Sequence, residues 1–472
     1  MKKILELIFF ALISGLCAAL PSEGFPSLKP EEISGGLMEA ALFFSDVSPQ
    51  SQQGRLVLEE YAGLSKEVSS PSYMSLSERE RGEAILTLMY EKVLDRYSLK
   101  QSSIEEMFRE GTYNCVSSSV LYACLALDAG LTVFPQMTTD HAFCTILAEG
   151  KKIDVETTNP YGFNPGEKKY ASADSNRYAV VPARVYSQRR ECSVYMLVSL
   201  IAQNRASVFL EQKNYEAPVT LMLNRYAYVR ANGSNSEVQS AFDGFLTACN
   251  NYALEQQRRG EYEKALVWLS LCRETDSSYW NGTMQSAYDS ITNNRIAGLL
   301  NSGNWQEAQK FLDEFSKNLS DSALAKFRGY VYQKYVEQTA YSLTPDQALL
   351  FLGEQNSNPL SKQKDAASLI ASLTEYMWSQ KILATENTGD HLSAVALADE
   401  ALKVLPSSSY IKKIRQTCLD NYAVTVHNRF ADLANSGRYE EALAVLDEGL
   451  SFYPSSATLK RDRQTLIRMM SH

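Results

Sequence analysis

The chain carries no glycine-rich phosphate loop, no Walker or Rossmann spacing, and no Cys/His spacing of a zinc site. Nucleotide, dinucleotide and zinc chemistry are left without a carrier, and no cofactor or metal is implied. Histidine is scarce, four in 472 residues, and His141 is the sole one before His391. Positive charge is outweighed, with 46 Lys+Arg against 55 Asp+Glu and a net charge of −9. That balance excludes a general nucleic-acid or acidic-membrane binder. The cysteines are widely scattered and do not form a disulfide framework, and their pairing does not follow from the sequence.

What is present is an ordinary globular composition, 45% apolar and 21% charged, on a chain long enough for two to four domains. The first 20 residues read as an export signal. Lys2 and Lys3 precede an apolar stretch from Ile4 to Leu20, and Cys17-Ala18-Ala19 supplies an A-x-A-like cleavage site. The stretch is shorter than a usual membrane span of about 20 residues. Expected localisation is therefore periplasmic or secreted, with membrane attachment only if Cys17 is lipidated or the signal stays uncleaved. Ser14-Gly15-Leu16 is a poor version of the triplet that lipidation expects before its cysteine. After cleavage the cysteine count is odd, so at least one thiol stays free.

The chemistry concentrates in residues 111–166. Cys115 follows the loop Gly111-Thr112-Tyr113-Asn114 and opens a run, Val116 to Asp128, that predicts a buried helix closed by Gly130. A thiol in a first helical turn lies at the positive end of the helix dipole, which favours thiolate. Free backbone N–H groups at that end stand where they could stabilise an oxyanion.

His141 begins a strand pattern, HAFCTIL, and residues 153–158 return as a second strand after a turn at 148–151. Pairing Leu147 with Lys152 places Ala142, Cys144 and Ile146 on one face with Ile153, Val155 and Thr157. His141, Phe143 and Thr145 share the other face with Asp154, Glu156 and Thr158. Glu156, diagonal to His141, is the nearer carboxylate, and Asp154 is the alternative. Nucleophile, base and orienting acid are what a thiol triad requires. Cysteine is among the most buried residue types, so Cys124 and Cys144 on apolar faces read as core.

The order of Cys at a helix start, His at a strand start and acid on the next strand resembles the transglutaminase-like branch of the papain-like cysteine enzymes. YNCVSSSVLYACLALDAGL is similar to that family's nucleophile helix, DHAF to its histidine strand, and ETT to its usual Asp-Pro-Thr. The resemblance implies Cys115 as nucleophile, His141 as base and Glu156 as third member. It covers about a quarter of the chain. Glu stands where the family has Asp, which keeps Asp154 in play. Val116 stands where animal transglutaminases have Trp, which points away from protein cross-linking.

Helices are expected at residues 37–44, 56–64, 76–97 and 103–110, the third with a Ser77/Glu80 capping box. After residue 166 a last strand is expected at 178–182. The cluster Arg184, Arg189 and Arg190 reads as a solvated face, with a substrate-carboxylate site as the lesser alternative. From residue 191 onward amphipathic helices carry an internal repeat. Its copies align Gly260, Tyr262, Ala265 and Leu269 with Gly303, Trp305, Ala308 and Leu312. Gly389, Ala394 and Ala398 follow, then Gly437, Tyr439, Ala442 and Leu446. Weaker copies surround Asn214-Tyr215 and residues 344–348. These resemble tetratricopeptide (TPR) repeats, at spacings of about 40 to 48 residues against the usual ~34.

The expected architecture is an α+β papain/transglutaminase-like domain over 21–190, after the signal at 1–20. An all-α, TPR-like helical-repeat solenoid follows over 191–472. Water as acceptor would make the protein a cysteine peptidase or amidase; an amine would make it a transferase. Its partners would be a protein or peptide substrate and a protein held by the repeats. The alternative is a non-catalytic secreted scaffold with a vestigial triad.

Overall fold

The structure is a computed structural model and describes residues 35–165, 186 and 188–471. The export signal, Cys17, the strand expected at 178–182 and Arg184 lie outside the described residues. Helices dominate, with one four-stranded sheet and one short parallel strand pair. The chain divides into two compact units, Met1–Ile291 and Thr292–His472.

The first unit opens with α1 (Leu37–Phe44), α2 (Gln52–Val68), α3 (Pro71–Met74) and α4 (Glu78–Lys92). Ser77 and Glu80 cap α4 reciprocally, at 3.3 and 3.0 Å. The expected continuation of this helix to residue 97 is wrong. The Gly111 carbonyl accepts from both Asp95 and Arg96 N–H, at 2.8 and 3.0 Å. That pulls Arg96–Tyr97 into β1, parallel to β2 (Thr112–Tyr113), beyond α5 (Ile104–Glu110). A long-range pairing has overridden the local helical pattern.

Next comes α6 (Cys115–Asp128), buried from Cys115 to Ala126. It ends where Gly130, at φ +73°, lets Leu131 N–H reach back to the Ala126 carbonyl at 2.8 Å. The sheet follows in the order β5-β4-β3-β6: β3 (Thr132–Met137), β4 (Ala142–Ala148), β5 (Lys151–Val155) and β6 (Arg190–Glu191), all neighbours antiparallel. Leu147 pairs Lys152, across a turn whose Glu149 and Gly150 both have positive φ. Pro135 sits in the middle of β3, where proline is unusual. Its missing N–H points to the same edge as its carbonyl, which accepts Cys192 N–H at 2.9 Å, so the β3–β4 ladder loses nothing.

The helices α7 (Val194–Glu211), α8 (Ala217–Asn232), α9 (Asn235–Arg258) and α10 (Tyr262–Thr275) pack each on the next within this unit. Helix α7 also packs on α1, α6 and β3. Helix α11 (Gly282–Asn301) contains the division between the units. The second unit continues with α12 (Trp305–Phe315), α13 (Asp321–Ser342), α14 (Pro345–Glu354) and α15 (Lys364–Glu386). It closes with α16 (His391–Val404), α17 (Ser409–Asn435), α18 (Tyr439–Phe452) and α19 (Ala457–Met470). From α14 to α19 each helix packs on the next. Gly260, Gly303, Gly389 and Gly437 each turn the chain at φ between +73° and +83°, where a side chain would be strained. The alanines five residues later, Ala265, Ala308, Ala394 and Ala442, are all at 0% exposure.

One close approach fixes α4 against the sheet beside α6. A Cβ at Gly82 would meet Ile146 Cδ1 at 2.4 Å and Phe163 at 3.0 Å. Gly82→Val should therefore destabilise the first unit by about 1–3 kcal/mol. Chemical denaturation of the full chain would read this as a lower midpoint.

Candidate active site

Cys115 is the first residue of α6 and nearly buried, at 7% exposure. Its neighbour Asn114 is the N-cap: the side-chain oxygen accepts from Val116 and Ser117 N–H at 2.9 and 3.0 Å. The expectation of several free amides at this helix end is thereby corrected. Two are taken by Asn114, and Cys115 N–H is the one left without a partner among the described residues.

His141 sits at the end of the β3–β4 turn, one residue before the strand, where Thr138 N–H bonds its carbonyl at 2.8 Å. Its Nε2 lies 2.8 Å from Glu156 Oε2, both side chains buried. Cys115 and His141 line the same cavity. With Nε2 committed to Glu156, Nδ1 is the ring nitrogen left for another partner.

Glu156 lies just past β5, where its N–H bonds the Gly162 carbonyl at 2.8 Å. At 2% exposure its carboxylate needs internal donors. Oε1 accepts from Thr158 N–H at 3.1 Å and Thr158 hydroxyl at 2.7 Å. Oε2 faces His141 and accepts the Tyr186 hydroxyl at 2.7 Å. The neighbouring Thr157 hydroxyl bonds Ser118 and Ser119 at 2.9 and 2.8 Å, which ties the carboxylate's segment to α6. The ETT match carried a signal for Thr158. Nothing local pointed to Ser118, Ser119 or Tyr186.

Asp154 shares the histidine's side of the hairpin but is engaged elsewhere. It accepts from the Thr145 hydroxyl directly opposite, at 2.8 Å, and forms an ion pair with Arg189. Arg189, expected on a solvated face, thus has a carboxylate partner, while Arg190 lies in β6. Cys124 and Cys144 are buried, and the seven cysteines of the described residues are all free thiols.

Burial alone pulls the His141 imidazole down, but its hydrogen bonds to Cys115 and Glu156, with their charges, push it up to about 10. Burial likewise pushes the Glu156 carboxyl up, and the bonds from His141, Thr158 and Tyr186 outweigh it and hold it below its ordinary value. Cys115 and His141 line a cavity of about 230 Å³ between the β3–β4 turn and α7. Among the described residues no cluster of His, Cys, Asp or Glu could hold a metal, and no helix is long and apolar enough to cross a membrane.

No family model matches the chain, and no curated protein matches it. Among solved structures, the crystal structure of menin, which reveals menin's binding site for the Mixed Lineage Leukemia protein, aligns with 82% of this chain and 93% of that one. The identity is 12% and the TM-score 0.28, a likeness too slight to bear on fold or function.

The His141–Glu156 pair has a pH signature. A raised histidine stabilises the fold fully below its ordinary 6.5 and loses that contribution as pH rises through about 10. A depressed carboxylate contributes above its ordinary 4.5 and loses that as pH falls through its folded value. The stability difference between the wild type and His141→Gln should peak between about pH 4.5 and 6.5. It should shrink toward pH 10, as measured by urea denaturation across that range.

Proposed function

We propose that the chain is an exported, transglutaminase-like thiol enzyme that hydrolyses peptide or amide bonds through a thioester on Cys115. The carrying observation is the buried His141–Glu156 hydrogen bond, with His141 and Cys115 lining one cavity. An antiparallel sheet packed on a helix that begins at the nucleophile supports the papain-like reading of the fold.

In the first step Cys115 Sγ attacks the carbonyl carbon with the proton of the pair already carried by His141, whose raised pKa keeps it on the ring. The carbonyl oxygen gathers negative charge beside the free Cys115 N–H. His141 returns the proton to the leaving nitrogen, the C–N bond breaks, and a thioester and a free amine result. His141 then takes a proton from water. The hydroxide attacks the thioester, the C–S bond breaks, and the sulfur recovers its electron pair as the carboxylic acid leaves. Glu156 holds the ring orientation and stabilises its positive charge throughout. Glu156 is preferred to Asp154 because only Glu156 faces the imidazole.

The left-handed glycine turns and the buried alanines five residues later support a TPR-like array. Such arrays bind extended partners on stacked hairpins, and the proposed role here is to hold a protein partner. Export rests on the sequence of the first 20 residues alone.

The test is turnover of a small acyl thioester and alkylation of Cys115 by iodoacetamide at mildly acidic pH. Cys115→Ala should abolish turnover. His141→Ala and Glu156→Gln should each lower it by about 10²-fold or more, with Asp154→Asn losing far less. Selective alkylation of Cys115 should vanish in His141→Ala. Failure of the wild type to turn over any acyl probe, with Cys115 no more reactive than in His141→Ala, would leave a non-catalytic scaffold.

A further inference from the structure

The cavity beside Cys115 is walled on one side by a single stripe of α7: Leu200, Gln203, Asn204, Ser207, Val208 and Glu211. Their spacing is that of one helical face. The adjoining face of α7 is core, with Leu197, Val198, Ile201 and Ala202 all at 0% exposure. The stripe breaks that pattern by carrying two carboxamides and a hydroxyl into the cavity. The Ser207 hydroxyl is turned back to the Gln203 carbonyl at 3.1 Å. Neither the Gln203 nor the Asn204 side-chain amide has a protein partner among the described residues, so each offers both a donor and an acceptor to a ligand.

The charge of the cavity narrows what the ligand can be. Its cationic lining groups are both paired, Lys100 with Glu211 at the end of the stripe and His141 with Glu156, and Asp140 adds a carboxylate. A phosphate or carboxylate would find no uncommitted positive charge there. At about 230 Å³ the cavity is smaller than the ~300–1,000 Å³ that encloses a drug-sized molecule. A ligand therefore lies along it as a segment. A neutral polymer with alternating donors and acceptors matches two neighbouring carboxamides, and that description fits a polypeptide main chain. The stripe is about 16 Å long at ~1.5 Å per residue of helix, the span of about five residues of extended chain at ~3.3 Å each.

From this wall we infer that α7 is the substrate-reading element of the site, and that Gln203 and Asn204 bind the main chain of an extended peptide whose scissile carbonyl lies on Cys115. The inference deepens the thiol-hydrolase reading and rests on it for the reaction, though not for the binding. Specificity for side chains is not part of this contact. The carboxamides meet peptide groups, which every sequence shares.

Penta-alanine probes isolate main-chain binding because their side chains carry no polar group. Full-length wild type and the Gln203→Ala/Asn204→Ala double variant are compared on a capped penta-alanine thioester and on an acetyl thioester. The ratio of the two kcat/KM values should fall at least tenfold in the double variant, carried by KM of the longer probe. An unchanged ratio overturns the inference. A second measurement survives a failure of catalysis: capped penta-alanine amide should slow alkylation of wild-type Cys115 by iodoacetamide, and this protection should be lost in the double variant. Protection that persists in the variant, or is absent from the wild type, overturns the inference even if thioester turnover is seen. If no thioester is turned over yet protection follows the expected pattern, the binding inference stands and the hydrolase reading falls.

Discussion

The carboxylate of Glu156, sealed at 2% exposure, is the constraint on which the site depends. An isolated buried carboxylate costs several kcal/mol even after relaxation, so the fold must bring donors to it. A carboxylate has about four lone-pair sites. Thr158 serves it twice through its N–H and hydroxyl, Tyr186 once, and the imidazole of His141 once. The ring that completes this set lines the cavity together with Cys115, so the donor that satisfies a buried charge is also held at the cavity wall.

The helix that begins at Cys115 is held just as tightly. Helix α6 is sequestered on all faces, and its polar residues Ser117, Ser118 and Ser119 are at 0% exposure. Ser118 and Ser119 clamp the hydroxyl of Thr157, the residue after the carboxylate. Asn114 takes two first-turn amides, which leaves Cys115 N–H as the free dipole at the sulfur. A site set on a helix end and a strand end in a packed core is preorganised, because neither can move without breaking buried hydrogen bonds.

Helix α7 links this chemistry to the helices that follow. It packs on α6 and β3 through its apolar faces and turns a polar stripe to the cavity. The compact unit that contains the sheet accordingly extends through residue 291. In the second unit the same local device recurs: a left-handed glycine ends one helix, and a small buried alanine five residues on lets the next helix pack closely.

What the sequence determined by itself was local. Helical periodicity and Gly130 marked α6, and the Glu149-Gly150 turn set the Leu147–Lys152 register. That register put His141, Asp154 and Glu156 on one side, and recurring glycines marked the helix turns of the later chain. These features follow from bonds and sterics among near neighbours, which a linear pattern records. The tertiary structure decided the choice between carboxylates, because Thr145 and Arg189 occupy Asp154 while Glu156 leaves the ladder toward His141. It also decided that residues 96–97 abandon a helix for β1, that β3 tolerates Pro135 by facing its bare nitrogen away from β4, and that α7 walls the cavity. Each of those outcomes depends on a partner distant in sequence, and packing alone chooses among partners that the pattern leaves equivalent.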